Sequence, residues 1–210
     1  GDTAALTMIT RQLREGDALF VAGDFGFVFW DNRDEHVFLD DVDRFLQKIN
    51  GYIIFADGNH ENHRALNKFP VEQWNNARVH MIRSKRIFCF GGAFSIDRAY
   101  RTLNKSYWEE EIPSEEDYEN GNKNLKACDY KVDYVITHTC PLNLIPSLGG
   151  YHSAMEERQL QNYLQYVSET VYDSLTRWYF GHWHRDQEFG EKFRVVYLDL
   201  VDMETGKKIW

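Results

Sequence analysis

The chain has 210 residues, 43% of them hydrophobic and 27% charged, a composition that supports one core-bearing domain without disulfide help and excludes a disordered chain. Its longest apolar runs, Ala18–Ala22 and Tyr52–Ala56, fall far below the roughly 18 residues of a membrane-spanning helix. The net charge of −9 opposes stable binding to a nucleic-acid backbone, which relies on a basic face.

In chain order, Leu6, Ile9 and Leu13 predict a short helix capped by Asp2 or Thr3, and Ala18–Ala22 a strand. Phe38, Val42, Phe45, Leu46 and Ile49 make a clearer helical stripe, followed by strands at Tyr52–Ala56 and Arg86–Phe90. Glu109 to Glu119 holds seven acidic residues and reads as a solvated loop leading to a helix, with Ser114 and Asp117 as a capping-box-like pair after Pro113. Val132–Thr137 predicts a strand; Leu160, Leu164, Val167, Val171 and Leu175 form the longest apolar stripe, on a helix that Ser153 could cap; Trp178–Phe180 and Phe193–Leu200 predict the last strands. Helices over a central sheet, in a single domain from Gly1 to Trp210, are the expectation. Trp30, Trp74, Trp108 and Tyr151 read as packing residues. Cys89, Cys128 and Cys140 are scattered and form no close pair, which fits a reducing, cytoplasmic setting better than a disulfide framework.

The informative residues follow the strands. Ala18–Ala22 runs into Gly23-Asp24-Phe25-Gly26, Tyr52–Ala56 into Gly58-Asn59-His60-Glu61, Val132–Ile136 into Thr137-His138, and Trp178–Phe180 into Gly181-His182-Trp183-His184. Each piece alone is an ordinary turn or a hydrogen-bonded loop histidine. Together they place four of the eight histidines behind apolar strands, where an α/β sheet binds ligands at its carboxyl edge. His36, His63, His80 and His152 have no such placement. In an extended segment His182 and His184 would point to the same side, and imidazole, carboxylate and amide donors suit ions such as Mn²⁺, Fe²⁺ or Zn²⁺. Glu61 reads as the start of a helix, where a carboxylate favours the dipole.

These blocks resemble the calcineurin-like metallophosphoesterase superfamily, whose signature runs Asp-x-His, Gly-Asp, Gly-Asn-His-Asp/Glu, a histidine before a short loop, and Gly-His-x-His. Gly23 to His184 carries the last four in order. Gly91-Gly92-Ala93-Phe94-Ser95-Ile96-Asp97-Arg98, with Arg101 and Trp108 after it, is similar to a branch of small bacterial and phage proteins in that superfamily. The resemblance implies an α/β fold, a layered α-β-β-α sandwich with mixed central sheets and the metal site at the carboxyl ends of the strands. It implies two divalent ions, manganese first, with iron, zinc or nickel as other candidates. Asp24 would bridge them, Asn59, His138 and His182 would complete the second site, and His184 would join the first.

By the same resemblance a bridging hydroxide attacks phosphorus in line while His60 protonates the departing alkoxide. Asp24, Asn59 and His60 would then form the catalytic set. Asn59 can spare a hydrogen bond for a substrate oxygen, and Arg98 or Arg101 would clamp the phosphate, with surface salt bridges as the competing reading of both arginines. The expected substrate is a small phosphomonoester, phosphodiester or nucleotide, with no stable nucleic-acid or membrane partner. No Asp-x-His block stands ahead of Gly23-Asp24, and Phe27 replaces the second aspartate of the protein-phosphatase branch. The expectation is therefore a domain lacking its first strand and Asp-x-His block, with a non-catalytic metal-binding or interaction protein on the same scaffold as the alternative.

Overall fold

The computed structural model describes residues 1–68, 78–149 and 155–210. In chain order the elements are α1 (Thr3–Thr10), β1 (Ala18–Ala22), α2 (Arg33–Lys48), β2 (Tyr52–Ala56), α3 (His63–Leu66), β3 (Arg78–Ile82) and β4 (Lys85–Phe90). They are followed by α4 (Glu115–Ala127), β5 (Tyr134–Thr137), α5 (Arg158–Val171), β6 (Arg177–Phe180), β7 (Gln187–Phe189) and β8 (Phe193–Val195). β1 and β2 pair in parallel, and the other strands form a mixed sheet in the order β3-β4-β5-β6-β8-β7.

The two-residue period of the strands builds three apolar layers. In β4, Phe88 and Phe90 face the helices while Ile87 and Cys89 face the other sheet; in β6, Trp178 and Phe180 do the first and Tyr179 the second. Leu19 of β1 and Ile53 of β2 pack on α1 and α2 through Leu6, Val42 and Leu46. The result is an α-β-β-α sandwich, with α1 and α2 outside the small sheet and α4 and α5 outside the large one. Leu160, Leu164, Val167 and Val171 of α5 are all essentially buried, each worth about 1.5–3 kcal/mol of transfer free energy.

Local chemistry sets the helix starts. Asp2 accepts from the Ala5 amide at 2.9 Å and Asn32 from the Glu35 amide at 3.0 Å, and Ser114 with Asp117 closes the expected capping box. Ser153 lies outside the described residues, as do Trp74, Tyr151 and His152. α5 begins after Glu157, whose side chain makes no cap bond.

Four expectations are corrected. The last strand stops at Val195 because the Asp186 carboxylate takes the amides of Tyr197, Leu198 and Asp199 at 2.8, 3.1 and 3.1 Å, drawing them out of the ladder. β3 and β7 are additional: β3 joins β4 through Arg83 and Ser84, both left-handed with φ of 49° and 63°, a turn with none of the usual Asn-Gly chemistry. Glu111 within the acidic run is fully buried. Trp108 packs as expected, edge-on to Phe29, but Trp30 is 72% exposed.

The outer edge of β1 has no strand partner among the described residues. It faces a groove of about 550 Å³ whose walls include Leu19, Phe20, Tyr179, Val196, Leu200 and Val201. Among the described residues no helix is long and apolar enough to cross a membrane, and Cys89, Cys128 and Cys140 are free thiols.

Candidate metal centre

Parallel pairing aligns the strand ends. Ala22 pairs with Ala56 and Thr137 with Phe180, so the chain leaves β1, β2, β5 and β6 at one edge of the sandwich and delivers Asp24, Asn59, His138 and His182 there. The turns that do this are tight. A Cβ on Gly58 would lie 2.1 Å from Asp24 Oδ1, and one on Gly23, itself at φ 86°, would lie 1.9 Å from His138 Nδ1. Asp24, His182 and His184 adopt left-handed φ of 52°, 67° and 46°, conformations that non-glycine residues hold mainly where the surroundings impose them.

The donor atoms converge on an amide oxygen. His138 Nε2 lies 3.0 Å and His182 Nδ1 3.1 Å from Asn59 Oδ1, and His138 Nε2 is 3.3 Å from Asp24 Oδ1. Among the described residues no three His, Cys, Asp or Glu side chains make a metal cluster by themselves; Asn59 brings these three together. The opposite nitrogen of His138, Nδ1, donates to the Ala22 carbonyl at 2.8 Å, which fixes the ring and leaves Nε2 directed at the cluster. Asn59 Nδ2 donates to Ser95 Oγ at 3.1 Å, so its oxygen is the end turned inward.

Acceptor atoms thus face one another, which costs energy unless a proton or a cation lies between them. The separations also suit an ion, since neighbouring ligands at about 2.1 Å from a divalent centre stand about 3.0–3.4 Å apart. Asp24, Asn59, His138 and His182 therefore fit a divalent cation.

The electrostatics agree. Burial opposes charge on both members of the Asp24–His138 pair, but their mutual attraction prevails, holding Asp24 well below the usual carboxylate range and lifting His138 to about 9. Burial, reinforced by His138, pushes His182 down to about 3, so its ring is a neutral donor at pH 7.

His60 borders this cluster. Its backbone amide donates to Asp24 Oδ1 at 2.9 Å, and Arg101 Nη2 lies 2.9 and 3.1 Å from its two ring nitrogens. Burial lowers the His60 pKa; Asp24 opposes that shift and Arg101 adds to it. Arg101 is itself held by Asp97 at 2.7 Å and the Ser106 carbonyl at 2.9 Å. Arg98 is engaged elsewhere: Nη2 and Nε lie 2.7 and 2.9 Å from Glu111 Oε1, and its guanidinium covers the Phe94 ring at 4.2 Å.

His184 stands apart. It is exposed and stacks on Tyr197 with centroids 4.8 Å apart. The segment carrying it is not extended, so the i, i+2 rule that placed it beside His182 does not operate there.

Two carboxylates with no expected role also shape the site. Glu61 precedes α3 rather than starting it, is fully buried, and accepts from the Phe25 and Gly26 amides at 2.6 and 3.1 Å, fixing the loop that bears Asp24. Burial and the nearby Asp24 charge raise its pKa to about 8. Glu157, also buried, lies 3.9 Å from His182 Nε2, on the side of the ring away from Asn59. Only the block Gly-Asn-His-Glu gave a signal for Glu61; nothing local marked Glu157.

No curated protein matches the chain. A family model described as calcineurin-like phosphoesterase matches residues 1–186, and the chain belongs to that family, a mixed α/β sandwich of metal-dependent phosphoesterases.

Proposed function

We propose that the protein hydrolyses small phosphomonoesters, phosphodiesters or nucleotides, using His60 as the proton donor and the Asn59-centred cluster as its cation site. The observation that carries this reading is the convergence of His138 Nε2, His182 Nδ1 and Asp24 Oδ1 on Asn59 Oδ1, with His60 next in sequence and bonded to Asp24. The cluster would hold one ion, manganese being first among the candidates; Asp24 would also contribute to a second, which His184 would join only by leaving its stack on Tyr197. When bound, such ions supply an acidified water and neutralise charge on the phosphoryl oxygens.

The chain's own residues do the rest. Asp24, ionised across the working pH range, anchors the His60 backbone and so sets the ring beside the reacting phosphorus. Arg101 lies against that ring, and an arriving phosphoryl anion draws its guanidinium toward substrate oxygen. Removing the cation from the His60 edge makes proton loading of the ring easier and readies it to protonate the leaving alkoxide. Arg98, bound to Glu111, is not placed for this task.

The test is hydrolysis of p-nitrophenyl phosphate and bis(p-nitrophenyl) phosphate by the Mn²⁺-loaded chain and its Arg101→Ala variant. Turnover with a KM raised about tenfold or more in the variant is the expected result. Bound Mn²⁺ with no turnover on either ester would contradict the hydrolase reading and favour a binding role.

A further inference from the structure

A chain of buried polar groups runs from Arg98 to the cation cluster. Glu111, Ser95 and Asn59 are 0%, 1% and 3% exposed. Glu111 Oε1 accepts from Arg98 Nη2 and Nε at 2.7 and 2.9 Å and from the Ser95 amide at 2.8 Å. Its other oxygen, Oε2, lies 2.8 Å from Ser95 Oγ.

We propose that Arg98, Glu111 and Ser95 form a hydrogen-bond relay that fixes which end of the Asn59 amide faces the cation. A carboxylate paired with guanidinium only accepts, so the single hydroxyl proton of Ser95 is committed to Glu111 Oε2. The Asn59 main-chain carbonyl, 3.4 Å from Ser95 Oγ, is a poorer acceptor for the same proton. Ser95 Oγ therefore meets the Asn59 side chain with a lone pair, which only the NH₂ end can satisfy; the observed Nδ2 contact is 3.1 Å. Oδ1 is left facing His138 and His182.

An amide turned over would set two acceptors against each other at Ser95 and aim N–H groups at the cation. Arg98 stabilises the buried Glu111 charge that sets this direction. Glu111 is thus a positioning residue, 52 positions from the ligand it orients, in a segment whose acidity reads from sequence as solvation.

The inference rests on the cation site proposed above, and the experiment separates the two. The probe is Mn²⁺ alone, its affinity measured by equilibrium titration on the full 210-residue chain, with near-ultraviolet circular dichroism as the check on fold. Glu111→Gln introduces a donor that can satisfy Ser95 Oγ, releasing the hydroxyl proton toward Asn59 and letting the amide turn. Expected is a loss of tenfold or more in Mn²⁺ affinity with the fold retained.

The same substitution is then made together with Asn59→Asp, whose two ends are both oxygens and need no orientation. There the expected loss disappears. If Glu111→Gln does not fold, Ser95→Ala, which leaves the Arg98–Glu111 pair intact, is compared in the same two backgrounds. An equal loss in both backgrounds would overturn the relay in favour of general packing, and no loss in either would overturn it outright. Absence of Mn²⁺ binding by the unaltered chain would instead bring down the cation site, and the relay with it.

Discussion

Nε2 of His138 lies 3.0 Å from Oδ1 of Asn59 while Nδ1 of the same ring donates to the Ala22 carbonyl. Without a cation this arrangement is satisfied only when Nε2 carries a proton. Burial works against that proton, but Asp24 beside the ring outweighs it and lifts the pKa to about 9. A divalent ion must displace the proton. Titration calorimetry of Mn²⁺ binding at about pH 7.5, in buffers of different ionisation enthalpy, should therefore show release of about one proton per ion. Apparent affinity should rise about tenfold per pH unit and level off near pH 9. Affinity independent of pH between 6 and 8 would contradict this assignment of His138.

His60→Ala should leave Mn²⁺ binding intact, because no ligand atom is removed. Its effect on turnover should depend on the leaving group. An alkyl phosphoester needs its departing alkoxide protonated and should slow by about 10²–10⁴-fold, whereas a nitrophenyl ester, which leaves readily as an anion, should lose much less. Equal losses on both esters would argue that His60 acts through structure.

Gly58 lets β2 turn against the Asp24 loop. Ala at this position would put its Cβ 2.1 Å from Asp24 Oδ1 and 2.5 Å from the Asp24 nitrogen. Because the backbone atom cannot yield as a flexible side chain can, Gly58→Ala should displace Asp24 and reduce Mn²⁺ affinity at least tenfold. Retained affinity would show that the loop accommodates the methyl group.

His63 supplies a pH dependence of stability. It is 4% exposed, and burial drives its pKa down to about 4 against the opposing pull of Glu110 and a Gly58 backbone hydrogen bond. Its Nδ1 is 3.5 Å from Asp57 Oδ2, and its buried Nε2 has no hydrogen-bond partner among the described residues. The depressed pKa means that the unfolded chain binds the proton more tightly. The contribution of neutral His63 is complete above about pH 6.5 and is lost as pH falls toward about 4, up to about 3 kcal/mol. Urea unfolding across that range should show the slope, and His63→Gln should flatten it. A slope unchanged by the substitution would locate the effect elsewhere.

Fold and site were legible to different degrees. Strand and helix periodicity predicted β1, β2, α2 and the capping box of α4 because those signals are contained within a few neighbouring residues. β7 escaped because Gln187–Phe189 has one apolar side chain and is held by β8. The clustering of Asp24, Asn59, His138 and His182 could be inferred because each follows a strand, and parallel strands finish together. Positions within the cluster could not. His184 turns toward Tyr197 because the backbone there is left-handed, a property set by surrounding structure.

The buried carboxylates were hidden for a related reason. Glu61 is hydrogen-bonded by amides 36 and 35 residues away and Glu111 is paired with a guanidinium 13 residues away. Local sequence reads such residues as solvent-facing, since an acidic side chain is seldom buried unless paired and the pairing is tertiary.

A divalent cation held by the Asn59 cluster can be detected directly. The most direct measurement is Mn²⁺ bound per chain at equilibrium, combined with pulsed electron paramagnetic resonance for nitrogen coupled to the bound ion. Expected is at least one ion per chain with imidazole nitrogen coupling, both lost in the His138→Ala, His182→Ala double variant. Absence of saturable binding, or binding and nitrogen coupling that survive removal of both histidines, would contradict it.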